Sequence, residues 1–250
     1  MIISHAHQFV FVKGRKVAST SLEIALSQIC GPDDIVTAIT PADERVRIGL
    51  GGQCRNFAKD PAIEAVYLDL VRKCDDAKAL ATGVHARRPG AYFNHAALSD
   101  IERISGLDTE QFTLLLAVRN PYEKIISLAN MRLSFQAYDG SPMVNDPAAI
   151  RQMAAKLFES GDYQRARNTD LYRTNRSYLR TVLIRHATLR PDLDAFVRSL
   201  GLTSELALPH AKSGASQHRL DPAEFFTRPQ LEQINAHYAE EFDTYGYARI

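Results

Sequence analysis

Hydrophobic positions fall in two spacings along the chain. Short runs of consecutive apolar, aromatic and β-branched residues occur at "QFVFV" (8–12), from Phe112 to Val118, and at "TVLIRH" (181–186), and each reads as a buried strand. After the first, the period lengthens. Leu22, Ile24, Ala25, Leu26 and Ile29 predict a helix from Ser19 with one buried side, ending near Gly31-Pro32. After the second, Asn120 suits an N-cap and Pro121 a first helical position, with Ile125, Ile126, Leu128, Ala129 and Leu133 behind them. Further helices are predicted over Pro61–Leu80, with a stripe of Ile63, Val66, Tyr67, Leu70 and Val71, and over Ala96–Ile104. "DLDAFVRSLGL" reads as a helix closed at Gly201. A terminal amphipathic helix in "RPQLEQINAHYAEEFDTYGY" docks through Leu231, Ile234, Tyr238 and Phe242. Pro41–Asp60, with its glycine cluster, reads as a loop, and so does Ser134–Asp162. Strands separated by helices imply an α/β fold with a central, mainly parallel sheet. No repeat, linker or low-complexity tract interrupts it, so a single domain over 1–250 is expected.

Composition narrows the function. Hydrophobic residues make up 45% and charged residues 24%, a globular mix, and a net charge of +1 gives no field for bulk nucleic-acid or membrane binding. Any anion site must be local. Cys30, Cys54 and Cys74 have neither metal-type spacing nor an even count, which points to a reducing compartment. No run of ~18 apolar residues and no cleavable leader is present, so a cytoplasmic protein without a transmembrane segment is expected. The histidines lack partner ligands, and no metal is expected.

The chain makes strand, tight turn, helix twice, and each turn is polar: "KGRKVASTS" (13–21) and "RNPYEKIIS" (119–127). In open α/β sheets, ligands bind beyond the carboxyl ends of the strands, where helix N-termini offer unpaired N–H groups to anions. Read alone, Lys13, Arg15 and Lys16 are a solvated surface turn. The second turn shifts the balance toward a ligand site. The P-loop motif G-x-x-x-x-G-K-[ST] fits badly, because "GRKVASTS" has one glycine and no Lys-Ser/Thr pair to hold magnesium, which disfavours a nucleotide kinase.

The order Lys-x-x-Ser-Thr-Ser after a first strand resembles the phosphosulfate-binding loop of sulfotransferases that use 3′-phosphoadenosine 5′-phosphosulfate. "AVRNPYEKIIS" resembles that family's second motif, whose arginine and serine stand eight residues apart. "GVHARRPG", "LIRHATLRPDLDAFVRSLGL" and "YAEEFDTYGY" are similar to segments of its carbohydrate-type branch, although Ala187 stands where relatives carry glutamate. The resemblance implies a P-loop-like three-layer fold with helices flanking the sheet. It also implies transfer of a sulfuryl group to a hydroxyl of a carbohydrate or glycolipid acceptor, with no nucleic-acid partner. In it, Lys16, Val17, Ala18, Ser19, Thr20 and Ser21 hold the 5′-phosphate, Lys16 also stabilises the leaving group, Arg119 and Ser127 hold the 3′-phosphate, and His85 is the general base. Lys212 and Ser213, in "PHAKSGASQHR", belong to a late basic loop over the nucleotide. A P-loop-like kinase and a non-catalytic nucleotide-binding protein that retains the donor pocket are the alternatives.

Overall fold

A computed structural model of the chain describes residues 1–74, 92–137, 146–209 and 220–250. In chain order the elements are β1 (Ile2–Ser4), β2 (Phe9–Val12), α1 (Ser19–Ser27), β3 (Ile35–Val36), α2 (Pro41–Gly49), α3 (Pro61–Lys73), α4 (Leu98–Ser105) and β4 (Thr113–Val118). There follow α5 (Pro121–Ala137), α6 (Pro147–Glu159), α7 (Thr169–Tyr172), β5 (Arg180–Arg185), α8 (Leu189–Ser199), α9 (Pro222–Phe225), α10 (Arg228–His237) and α11 (Ala239–Tyr245). They form two compact units, one of Met1–Gly14, Ala18–Ala117 and Leu171–Ala211, the other of Arg15–Val17, Val118–Asp170 and Lys212–Ile250.

The first unit holds a five-stranded sheet of order β3-β1-β2-β4-β5 with helices flanking it. The sheet is mixed rather than mainly parallel. β2 and β4 run parallel, with Val12 opposite Leu116, but β1 pairs antiparallel with both β2 and β3. The antiparallel edge arises because β1 and β2 are joined by four residues, a span that permits only a hairpin; a parallel neighbour needs a long crossover. Asp34 secures that hairpin by accepting from the Ser4 hydroxyl and from the N–H groups of His5 and Ala6. β2 and β4 are buried along their whole length, and Phe196 of α8 meets Phe9 edge to face at 5.4 Å.

Pro41–Gly49 is a helix, not a loop. Thr40 caps it, accepting from Asp43 N–H, and Pro41 occupies its first turn. Of the glycines after it, Gly52 has a packing reason: a Cβ there would lie 2.1 Å from Ser27 Oγ, so only glycine lets this segment pass against α1. The stripe on α3 is narrower than its spacing predicts, since Tyr67 and Val71 are buried while Val66 and Leu70 are exposed.

α1 is buried on nearly every side, and its Glu23 is fully enclosed. That carboxylate lies 2.5 Å from Lys13 Nζ, 2.9 Å from the Met1 amino group and 3.5 Å from Arg47 Nη2, and it accepts from Thr37. Burial alone would raise the carboxyl pKa, but Lys13, the amino group and Arg47 outweigh it and hold the group well below the usual carboxylate range.

In the second unit, Tyr122, Ile125, Ile126 and Ala129 of α5 pack against Ile150, Met153 and Ala154 of α6 and against Ile234, Tyr238 and Phe242 near the C-terminus. The C-terminal pattern forms two helices, α10 and α11, rather than one, meeting at Tyr238. Pro147–Glu159, within the stretch expected as a loop, is a helix capped by Asp146. Among the described residues no helix is long and apolar enough to cross a membrane.

Removing the Glu23 carboxylate leaves Lys13 buried without its counter-charge and Arg47 with Glu44 alone. Glu23→Ala is expected to cost about 3–5 kcal/mol in urea denaturation. A loss below about 1 kcal/mol, the level of an exposed ion pair, would show that this cluster does not support the unit.

Candidate anion-binding site

β2 and β4 end at the same edge of the sheet, and each leads within a few residues to a helix. The first of these turns is unusual in its backbone. Lys16 and Ala18 both have left-handed φ, 63° and 59°, although neither is glycine. Such positions cost roughly 1–2 kcal/mol for an L-residue and persist where the surroundings impose them. Left-handed residues within a turn direct successive N–H groups into one concavity, the geometry of anion-binding nests.

Ala18 is also the N-cap of α1, and it supplies no side-chain cap. No acidic residue lies in the first turn. The Leu22 N–H closes the first helical bond on Ala18 O, and among the described residues nothing accepts from the N–H groups of Ser19, Thr20 or Ser21. The positive end of α1 is therefore uncompensated by its own sequence. Ser19 donates its hydroxyl proton to Gly14 O at 2.6 Å, which leaves this oxygen as an acceptor; Ser21 is buried and Thr20 half-buried.

The three cations of the turn have separate fates. Lys13, grouped with the surface cations by its sequence context, is 2% exposed and committed to Glu23. Arg15 is held by its backbone: its N–H donates to Asn168 Oδ1 at 2.7 Å, and its carbonyl accepts from Asn168 Nδ2 at 3.0 Å. Lys16 is partly exposed.

The second turn forms as its sequence predicts. Asn120 Oδ1 accepts from Tyr122 N–H at 3.0 Å, and α5 starts at Pro121. Arg119 places Nε 3.0 Å from Glu123 Oε2, and its Nη1 makes a long, weak bond of 3.5 Å to Lys16 O. Its side chain is 18% exposed, and burial lowers its pKa against the pull of Glu123. Glu123 and Ser127 follow at four-residue intervals, which aligns them on one face of α5, and Ser127 is half-buried there. Lys16 and Arg119 are thus brought together within the second unit. His85, Lys212 and Ser213 lie outside the described residues.

Four residues around these turns carry no sequence signal of their own. Asn168, Glu241 and Lys124 are buried and linked: Asn168 N–H donates to Glu241 Oε1 at 2.5 Å, and Lys124 pairs with Glu241 Oε2. The fourth is His95. Because a carbonyl can only accept, its Nδ1 carries the proton and donates to Lys13 O at 2.8 Å. Burial first, then the Lys13 charge, lower its pKa to about 3. A cavity of about 410 Å³ lined by Arg132, Phe135, Met153 and Lys156 includes none of the expected site residues.

Two outcomes follow from this geometry. Ala18→Val places a β-branched residue at a left-handed position and is expected to destabilise by about 1–2 kcal/mol, whereas Ala18→Gly stays within about 1 kcal/mol of wild type; equal values in thermal unfolding would contradict the left-handed backbone. For His95 the folded pKa lies below the ordinary 6.5, so the unfolded chain takes up the proton first. Its stabilisation is complete above pH 6.5 and declines as pH falls toward 3. His95→Asn keeps a donor for Lys13 O without a titrating group, so stability should fall less steeply between pH 6.5 and 5; an unchanged slope would refute the assignment.

Comparison with family models, with curated proteins and with solved structures finds no match to this chain, so the reading of the site rests on its own geometry.

Proposed function

We propose that the chain is a sulfotransferase that moves a sulfuryl group from 3′-phosphoadenosine 5′-phosphosulfate to a hydroxyl of a carbohydrate or glycolipid acceptor. The observation that carries this reading is the contact between Arg119 and the carbonyl of Lys16, residues 103 apart in the chain. It brings Arg119 to the Lys16 backbone within the second unit, and the donor has two phosphate positions. The donor chemistry fits: a turn with left-handed Lys16 and Ala18, the N–H groups of Ser19 to Ser21, which have no acceptor among the described residues, a lysine, and an arginine whose planar fork matches a phosphate dianion.

The donor supplies an activated sulfuryl group: the acceptor oxygen–sulfur bond forms as the bond from sulfur to the 5′-phosphate oxygen breaks. The α1 N–H groups and the hydroxyls of Thr20 and Ser21 would hold the 5′-phosphate, and Ser19 would accept or donate according to whether it keeps its bond to Gly14. As negative charge gathers on the departing phosphate oxygen, the Lys16 ammonium interacts more strongly with it than in the ground state, which is what accelerates the step. Arg119 would exchange the half-exposed Glu123 for the 3′-phosphate, with Ser127 adding a bond from the same helix face. His85 would take the acceptor proton.

Calorimetry with adenosine 3′,5′-bisphosphate and with ATP tests the donor assignment. Wild type is expected to prefer the bisphosphate, and Arg119→Ala to weaken it by roughly a hundredfold, as for loss of a charge-assisted pair. Equal affinity for ATP, or an Arg119→Ala variant that binds as wild type does, would overturn the reading. Turnover lost in Lys16→Ala with binding retained marks an enzyme; bisphosphate binding without turnover in wild type marks the non-catalytic alternative.

A further inference from the structure

Beside the turn lies a buried chain of polar groups to which the proposed chemistry assigns no part. Asn168 is 2% exposed, and its carboxamide grips the Arg15 backbone at both N–H and C=O. Its own N–H is held by Glu241, which is 3% exposed and takes its counter-charge from Lys124, 1% exposed and on the helix that follows Arg119. The Lys124 ammonium also lies 5.0 Å from the centre of the Tyr238 ring. Each of these groups is paired, so desolvation is compensated along the whole chain.

We infer that Asn168, anchored through Glu241 to Lys124, is a positioning residue that sets the backbone of the Lys16 turn for donor binding. A carboxamide that bonds both polar groups of one residue reproduces the pairing of a β-ladder, and so fixes the peptide planes on either side of Arg15. The next residue is the left-handed Lys16, and the same Lys16 carbonyl receives Arg119. The clasp therefore decides two things at once: the direction of the N–H groups in the turn, and the position of the carbonyl by which Arg119 is oriented. Glu241 fixes the clasp from the far side, because the Asn168 N–H bond prevents the carboxamide from sliding along Arg15. Lys124 holds Glu241 in place, and it stands one turn into the helix that carries Ser127, so both phosphate turns share one support.

This inference rests on the reading of the turn as the donor site, and its test separates the two. Hydrogen exchange of the Arg15 and Lys16 amides reports the clasp without any ligand, and calorimetry with adenosine 3′,5′-bisphosphate reports the site. Asn168→Ala should speed exchange at Arg15 by at least roughly tenfold while amides of β2 exchange as before, and should weaken the bisphosphate by roughly tenfold, the size expected for two neutral hydrogen bonds. Asn168→Asp retains an acceptor for the Arg15 N–H and loses the donor to its carbonyl; it should fall between wild type and Asn168→Ala in both measurements, and it serves if the alanine variant fails to fold. Unchanged exchange at Arg15 overturns the clasp. Faster exchange with undiminished affinity overturns its role in binding, as does acceleration spread evenly over all amides, which marks global destabilisation. If wild type does not bind the bisphosphate, the donor reading fails and the positioning role falls with it, while the exchange result still decides whether the clasp exists.

Discussion

Glu23 stands inside the first unit with Lys13 on one side and Arg47 and the Met1 amino group on another, and the form of the first turn depends on that arrangement. Lys13 follows the last residue of β2, and Glu23 lies in the second turn of α1. Their ion pair ties the two flanks of the intervening loop together over ten residues. Lys13 and Arg47 exceed the charge of one enclosed carboxylate, while burial lowers the pKa of the Met1 amino group to about 5. Glu44 supplies the second negative charge, pairing with Arg47 at 3.0 Å and accepting from Cys54 N–H. Removing Glu23 leaves Lys13 without its counter-charge in a site closed to water, while Arg47 and Glu23 each have more than one partner, so the group is most sensitive at its central carboxylate.

Placing the acid at Glu23 has a further consequence for the turn. An acidic residue in the first turn of a helix satisfies its positive end and competes with any bound anion. Here the acid lies beyond that turn and is consumed by buried cations, so the N-terminus of α1 keeps its N–H groups for something else. Lys13 is spent in the same pairing. Of the three cations in "KGRK", Lys13 is structural, Arg15 is gripped by its backbone, and Arg15 and Lys16 are both partly exposed.

The parts legible in the sequence were those whose cause is local. The period change at Ser19, the apolar run from Phe112, and the Asn120-Pro121 start of α5 each depend on residues within a turn of one another, and each stands where its pattern puts it. α2 was legible in principle from Thr40, Pro41 and Asp43, but the glycines after it masked that signal, because they are read as turn formers when one of them serves close packing against Ser27. Mixed strand direction was hidden because β1 is only three residues long and gives no period. Lys13 and Asn168 could not be read at all: the meaning of each lies in a partner, ten residues away for Lys13 and 153 for Asn168, and neither has an unusual neighbour in sequence. The resemblance to sulfotransferases singled out Lys16 and Arg119 for two different phosphates; the weak bond from Arg119 to the Lys16 backbone carbonyl formed no part of that reading.

The strain in the turn can be weighed against what surrounds it. A phosphate-cradling loop made with glycines adopts left-handed φ at no steric cost, but a glycine cannot carry a charge. Placing lysine at φ 63° costs roughly 1–2 kcal/mol and keeps a cationic side chain in the turn. Ala18, at φ 59°, adds a similar cost with the smallest side chain that still has a Cβ. The two bonds from Asn168 to Arg15 and the bond from Ser19 to Gly14 are together worth about 3 kcal/mol at the usual ~1 kcal/mol each, which is comparable to the strain they offset. The turn is thus held near balance partly by its own Ser19–Gly14 bond and partly by Asn168, a residue outside the turn with no assigned contact to the donor.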